Sequence, residues 1–256
     1  VAEELIEPDV LQRIATVRLP GASSGVRTTE RRQAAADAHV RAVLPHLTRV
    51  VHDMVCVQRF CGCRPGEVCR MSWSDIQTDS PGGMWFYCPS MHKTKNRGYC
   101  RTIALGQECQ KILSKYRHRP SDQPIFSPRE SENERLATVH ANRATPMTPS
   151  QTSRTSAAKE RASNRPRGPR EGFNADTYNR AVKRVLKREK LAQWTPHQLR
   201  HARGHDLATQ SIEIAQAGLG HEDPKMAQHY GDRVRHPGLL GQAAATEPDV
   251  ARRLLH

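Results

Sequence analysis

A chain of 256 residues, 36% hydrophobic and 26% charged, is long enough to bury one ordinary globular core and carries polar residues beyond what that core needs. Its 40 Lys and Arg against 26 Asp and Glu give a formal net charge of +14 and a pI near 9.9, so it attracts polyanions, nucleic acid first, and displaces their counterions. The sequence has no long apolar run, signal-peptide core or strongly amphipathic basic terminus, which argues against a membrane partner and leaves the expectation of a soluble cytoplasmic protein.

Seven cysteines are an odd number, scattered from Cys56 to Cys109 in a chain far larger than a disulfide-stapled miniature, so a reducing compartment without disulfides is expected. The cluster Cys56, Cys61, Cys63 and Cys69 lacks a paired C-x2-C and falls across a helix, a turn and another helix. Buried thiols explain it better than zinc.

Residues 1–40 are polar, show little sustained periodicity and read as a linker. From His46 the pattern tightens. Leu47, Val50, Val51, Met54 and Val55 recur at three- and four-residue steps and predict a helix with one buried face, stopped by Gly62. In "CRPGEVCRMSW", Pro65 sits at a first helical position and Glu67 in the first turn, which puts Arg64 at that helix's N-terminal edge.

The period changes over residues 84–105, where "MWFYCP" and "YCRTIAL" flank the polar turn "SMHKTKNRG". This predicts a small antiparallel hairpin with Lys93 and Lys95 near its tip. Helical spacing returns at residues 107–117 through Cys109, Ile112 and Tyr116. Residues 127–172 hold hardly a large apolar side chain and are expected to form a mobile, basic, solvated insertion. In "TYNRAVKRVLKRE", Tyr178, Ala181, Val182, Val185 and Leu186 make the buried face, while Arg180, Lys183, Arg184, Lys187 and Arg188 form a one-signed outer face suited to a DNA backbone.

"TPHQLRHARGH" opens with a capping box: Thr195 as N-cap, Pro196 first in the helix, Gln198 reaching back. His197 and Arg200 project from one side of its first turns, beside unpaired N–H groups and the positive end of the helix dipole, which favours an anion. Farther on, Gly218 and Gly220 end a helix, and Asp223 and Pro224 start a short one that closes with Tyr230 and Gly231.

Together "GCRPGEVCRMSWSDI", "HKTKNRG", "HQLRH", "LGH" and the Tyr of "AQHYGD" resemble, in order, the boxes of the tyrosine recombinases, the phage-integrase family that cuts and rejoins DNA. The resemblance runs from His46 to Gly231 around the insertion. It implies a mainly α fold with a small antiparallel β-sheet (α+β), the architecture of DNA breaking-rejoining catalytic domains. Residues 41–235 would be the catalytic domain, residues 1–40 too short for the family's N-terminal core-binding domain, and residues 236–256 a tail with Val250 and Leu254 at helical spacing. That tail either docks on a neighbouring protomer or folds back on its own core.

Attack on a phosphodiester by a side-chain hydroxyl builds a doubly charged, phosphorane-like transition state, and permanently charged planar guanidinium forks suit it without a metal ion. The resemblance assigns that grip to Arg64 and Arg200, with Glu67 orienting Arg64. It makes Tyr230 the nucleophile that forms a 3′-phosphotyrosyl bond, Tyr178 being an alternative. His197 donates to the phosphate or takes the tyrosine proton, His221 braces the phosphate, and Lys93, with Lys95 as competitor, protonates the departing 5′-oxygen. Such a recombinase needs no cofactor and no ATP, and its partner is double-stranded DNA, four protomers holding two duplexes.

Three other readings compete. His197, His201 and His205 recur as H-x-x-x-H, but a zincin needs Glu after the first His and the chain has Gln198. A truncated or decayed recombinase would bind DNA without cleaving it. A type IB topoisomerase shares the chemistry but fits the spacing and the "LGH" box less well.

Overall fold

The structure is a computed structural model and describes residues 8–17, 33–79, 83–90, 101–163, 171–220 and 237–255. The chain divides into a unit of residues 1–32 and a unit of residues 33–256. Within the first, Pro8–Thr16 forms helix α1, with Pro8 at its start, Asp9 paired to Arg13 at 2.6 Å, and exposed Val10 and Ile14 one turn apart.

In the second unit α2 (Asp37–Val43) leads through a short 3-10 turn into α3 (Arg49–Cys61), the axis of the core. Nearly every α3 residue from Val50 to Cys61 is buried, because α4 (Pro65–Arg70), α5 (Gln107–Ser114), α6 (Pro128–Ala141), α8 (Ala175–Arg188), α9 (Pro196–Ala208) and α12 (Glu247–Leu255) surround it. A helix with only one buried face was expected; burial all round marks a central element instead. Gly62 caps α3 in the left-handed conformation, φ 70°. On the far side of α9, α10 (Ile212–Leu219) packs between that helix and α11 (Pro237–Ala245).

The sheet is antiparallel in the order β1 (Ile76–Gln77), β2 (Trp85–Tyr87), β3 (Ile103–Leu105). Trp85 lies opposite Leu105 and Tyr87 opposite Ile103, as the predicted hairpin requires, and β1 adds a strand that two residues were too short to signal. The hairpin tip, residues 91–100, lies outside the described residues. The mainly α class with a small antiparallel sheet is the one observed.

Several expectations are corrected. The stretch read as a linker contains α1, and from Gln33 it joins the second unit, where Ala35, Val40 and Val43 are buried. The insertion at 127–172, expected to stay irregular, forms α6 and α7 (Pro149–Ser163). Helix formers rather than an apolar face build it: the Ser127 hydroxyl caps α6 by accepting the Glu130 N–H, and Glu132 pairs with Arg135 one turn on. The tail contains α12, whose Val250, Ala251 and Leu254 are buried, with α2, α3 and α5 packed beside that helix. Its first residue, Glu247, is fully buried and accepts the Gly106 and Cys109 N–H groups at 2.8 and 3.1 Å, capping α5.

Candidate active site

α3 and α4 meet at a corner that fixes the first arginine. After Gly62 turns the chain, Arg64 becomes the N-cap of α4, with Pro65 first in the helix and Glu67 at the third position. The Glu67 carboxylate reaches back to accept the Arg64 backbone N–H at 2.6 Å and pairs with its guanidinium at 2.9 Å. Glu67 thus holds both the backbone and the side chain of Arg64. Its backbone carbonyl also accepts the hydroxyl of buried Tyr87 at 3.0 Å, which ties α4 to β2.

The second arginine arrives on α9. Pro196 occupies the first helical position and the Gln198 side chain accepts the Thr195 N–H at 2.8 Å, so the helix starts where the capping box put it. Arg200 is buried, and it donates to the Gly62 carbonyl at 2.8 Å and to the Leu219 carbonyl at 2.8 Å. The same glycine that ends α3 therefore presents an acceptor to Arg200. At Gly62 an added Cβ would come within 2.8 Å of the Arg203 Cγ, so the close approach of α9 also requires glycine there.

Sequence reasoning missed a third arginine. Arg101, two residues before β3, is buried; its Nε lies 2.8 Å from a Glu67 oxygen, and its Nη1 donates to the carbonyls of Leu219 and Gly220, the latter at 3.0 Å. Three guanidiniums, Arg64, Arg101 and Arg200, interact electrostatically around one carboxylate. Burial tends to raise the Glu67 pKa, but Arg101 first, then the Arg64 N–H and charge and the charge of Arg200, hold it below the ordinary glutamate value. Burial and the neighbouring charges of Arg101 and Arg64 lower Arg200 to about 9, which leaves it charged at neutral pH. Among the described residues, backbone carbonyls and the Glu67 carboxylate face these guanidiniums.

His197 lies half-buried in the first turn of α9, its ring edge-on to that of His201 with centroids 4.9 Å apart. Among the described residues no three His, Cys, Asp or Glu side chains gather in a metal-binding group, and Cys56, Cys61, Cys63 and Cys69 are buried thiols. Of the five tyrosines, Tyr87, Tyr116 and Tyr178 are buried, each with its pKa pushed up by burial above all. Tyr178, the alternative nucleophile, is fully enclosed within the core. Lys93, Lys95, His221 and Tyr230 lie outside the described residues. The structure therefore brings Arg64, Glu67 and Arg200 together, adds Arg101, and carries His197 on the same helix as Arg200.

On α8, Asn174 and Thr177 cap the helix reciprocally, at 2.8 and 2.9 Å, and Tyr178, Val182 and Leu186 face the core. Arg180, Lys183, Arg184, Lys187 and Arg188 are all exposed, and Arg188 pairs with Glu189 at 2.6 Å. No helix among the described residues is long and apolar enough to cross a membrane.

A comparison with curated proteins finds no match. Among solved structures the chain is similar to a lambda integrase dimer bound to a COC' core site, with 17% identity and a TM-score of 0.52 over 82% of this chain and 51% of that one. It is also similar to the Tn1549 transposon integrase (aa 82-397) in complex with circular intermediate DNA, with 15% identity and a TM-score of 0.53 over 97% of this chain and 74% of that one. Both likenesses are of fold, and this chain spans about half the length of the lambda integrase chain. The model of the Phage integrase family matches residues 48–235, from the start of α3 past the position of Tyr230, and on that match the chain belongs to the phage integrase family of tyrosine recombinases.

Proposed function

We propose that this protein is a site-specific DNA recombinase that cleaves and rejoins strands through a 3′-phosphotyrosyl intermediate, using neither a metal ion nor ATP. The observation that carries this reading is the convergence of Arg64 and Arg200 on one corner, where each lies in the electrostatic reach of the other and of Glu67. Two planar forks that stay charged at neutral pH supply to a transferring phosphate what magnesium supplies in many nucleases. Tyr230 Oη attacks the phosphorus, the bond from phosphorus to the 5′-oxygen breaks, and Lys93 or its neighbour Lys95 hands that oxygen a proton. His197 takes the phenol proton or donates to a nonbridging oxygen, and His221 braces the phosphate. Because the phosphotyrosyl bond conserves the energy of the broken diester, a 5′-hydroxyl from another strand reseals the junction. Residues 41–235 act as the catalytic domain, the exposed cations of α8 follow the DNA backbone, and four protomers hold two duplexes.

The test is a nicked suicide duplex carrying the sequence recovered by mapping DNA bound in cells, incubated without divalent metal. A covalent protein–DNA adduct is expected, and Tyr230→Phe abolishes it while salt-sensitive binding persists. An adduct that survives in this variant moves the nucleophile to another tyrosine. Tight binding by the unmodified protein with no adduct favours the second reading, a recombinase reduced to a DNA-binding module.

A further inference from the structure

Arg101 belongs to none of the sequence boxes, yet it touches three parts of the site at once. Its planar guanidinium meets Glu67 on one side at 2.8 Å and the Leu219 and Gly220 carbonyls on the other. Glu67 is the carboxylate that holds Arg64, and the Leu219 carbonyl is also the one that Arg200 grips. In the sequence Gly220 directly precedes His221, and Arg101 stands two residues before β3.

We propose that Arg101 is a positioning residue for phosphoryl transfer: it locks Glu67 and the Leu219–Gly220 end of α10 into one frame, so that Arg64 and Arg200 address the same phosphate. The inference rests on the recombinase reading above. Two features favour positioning over simple stabilisation. A guanidinium 4% exposed, sharing the Glu67 carboxylate with Arg64 and lying near Arg200, is an expensive way to hold a fold, and an apolar residue of similar size would pack more cheaply. The backbone is also cleared for it: Gly220 has φ +58°, and a Cβ there would lie 2.3 Å from Arg101 Nη1, so the glycine of the "LGH" box is what admits the guanidinium. Misplacing a catalytic group by an ångström costs about 100-fold in rate, whereas overall duplex affinity depends on exposed cations elsewhere.

The experiment uses this chain and a nicked duplex whose sequence is selected with the protein itself from a random pool. Single-turnover adduct formation, duplex affinity and melting temperature are measured for Arg101→Gln, Arg101→Lys, Glu67→Gln and the double variant Arg101→Gln/Glu67→Gln. Arg101→Gln is expected to slow adduct formation about 100-fold at unchanged affinity, with a loss that is not additive with Glu67→Gln. The acid limb of its rate profile moves to higher pH. Burial raises the Glu67 pKa and Arg101 is the foremost group drawing it down, so removing Arg101 leaves Arg64, Arg200, Cys63 and Tyr87 facing a carboxylate that protonates more easily.

Should Arg101→Gln fail to fold, Arg101→Lys carries the test. One ammonium cannot span Glu67 and both carbonyls, so a slowed rate is expected in a variant that still folds cooperatively and binds the duplex with unchanged affinity. Full rate in either folded variant, an unmoved acid limb, or additive losses overturn the role. Absence of adduct from the unmodified protein overturns the recombinase reading and this inference together, whereas adduct that is indifferent to Arg101 overturns only the latter.

Discussion

Replacing Glu67 by Gln keeps the shape of the corner and removes the carboxylate on which its guanidiniums converge. Arg101, Arg64 and Arg200 then face one another across backbone carbonyl oxygens. Breaking a buried ion pair by deleting one partner costs about 3–5 kcal/mol. Arg64 is 31% exposed and water absorbs part of its loss, so the low end of that range, about 3 kcal/mol, applies. For a unit of this size that corresponds to a melting temperature lower by roughly 6–12 °C. The loss also depends on pH. A glutamate whose folded pKa lies below its unfolded value contributes stability that is fully present above the unfolded value and disappears as pH falls through the folded one. The gap between unmodified protein and Glu67→Gln is therefore widest at neutral pH and closes below the ordinary glutamate range. Urea unfolding across that range, with the slope checked for constancy, measures it. A gap under about 1 kcal/mol at neutral pH, or one that does not change with acid, would refute the claim that this carboxylate is the charge keystone of the corner.

Two further predictions address other parts of the molecule. Converting Lys183, Arg184 and Lys187 to Gln should leave the melting temperature unchanged and flatten the plot of log affinity against log salt by about 0.9 for each phosphate that these side chains neutralise; an unchanged slope takes α8 off the DNA. Burial pushes Glu247 up to about 7, against the Gly106 and Cys109 N–H groups and Arg203 that pull it down. Because its folded pKa lies above the unfolded one, its ionisation erodes stability as pH rises from the ordinary glutamate range to about 7; Glu247→Gln should remove that component in chemical unfolding, and parallel pH curves for the two proteins would contradict it.

What could be read from residues alone was the part written in local chemistry. Pro65 and Glu67 next to Arg64, and Thr195, Pro196 and Gln198 around His197, are helix-start signals a few residues long, and the structure reproduces each. Arg101 gave no such signal. In a strongly basic chain an arginine before a strand looks like any surface cation, and its burial follows from contacts with Glu67, 34 residues earlier, and with Gly220, 119 residues later. The glycine of "LGH" reads as a helix stop, which it is, but its second purpose, making room for a guanidinium, exists only in three dimensions. α12 was ambiguous for the opposite reason: Val250 and Leu254 announce an apolar face without saying what covers it.

The ordering of α6 shows how a segment with almost no apolar surface can still dock, and it can be tested. α6 meets the start of α3 through polar groups: the Glu134 carboxylate accepts the Arg49 N–H at 2.8 and 3.0 Å, Glu130 pairs with the guanidiniums of Arg49 and Arg119, and the Ser131 and Thr48 hydroxyls share a hydrogen bond at 2.6 Å. Thr48 makes no side-chain cap of its own, so Glu134 caps α3 from another helix, with its negative charge at the positive end of the dipole. Losing an N-cap costs about 1 kcal/mol, and this one also tethers α6. Glu134→Ala is therefore expected to lower stability by about 1 kcal/mol and to quicken amide hydrogen exchange at both the first turn of α3 and the length of α6. Added salt should produce a milder version of the same change in the unmodified protein, since the interaction is charged and partly exposed. If exchange quickens at α3 alone while α6 keeps its protection, the helix is held by something other than these carboxylates, and the account of an insertion ordered by charge rather than by apolar burial fails.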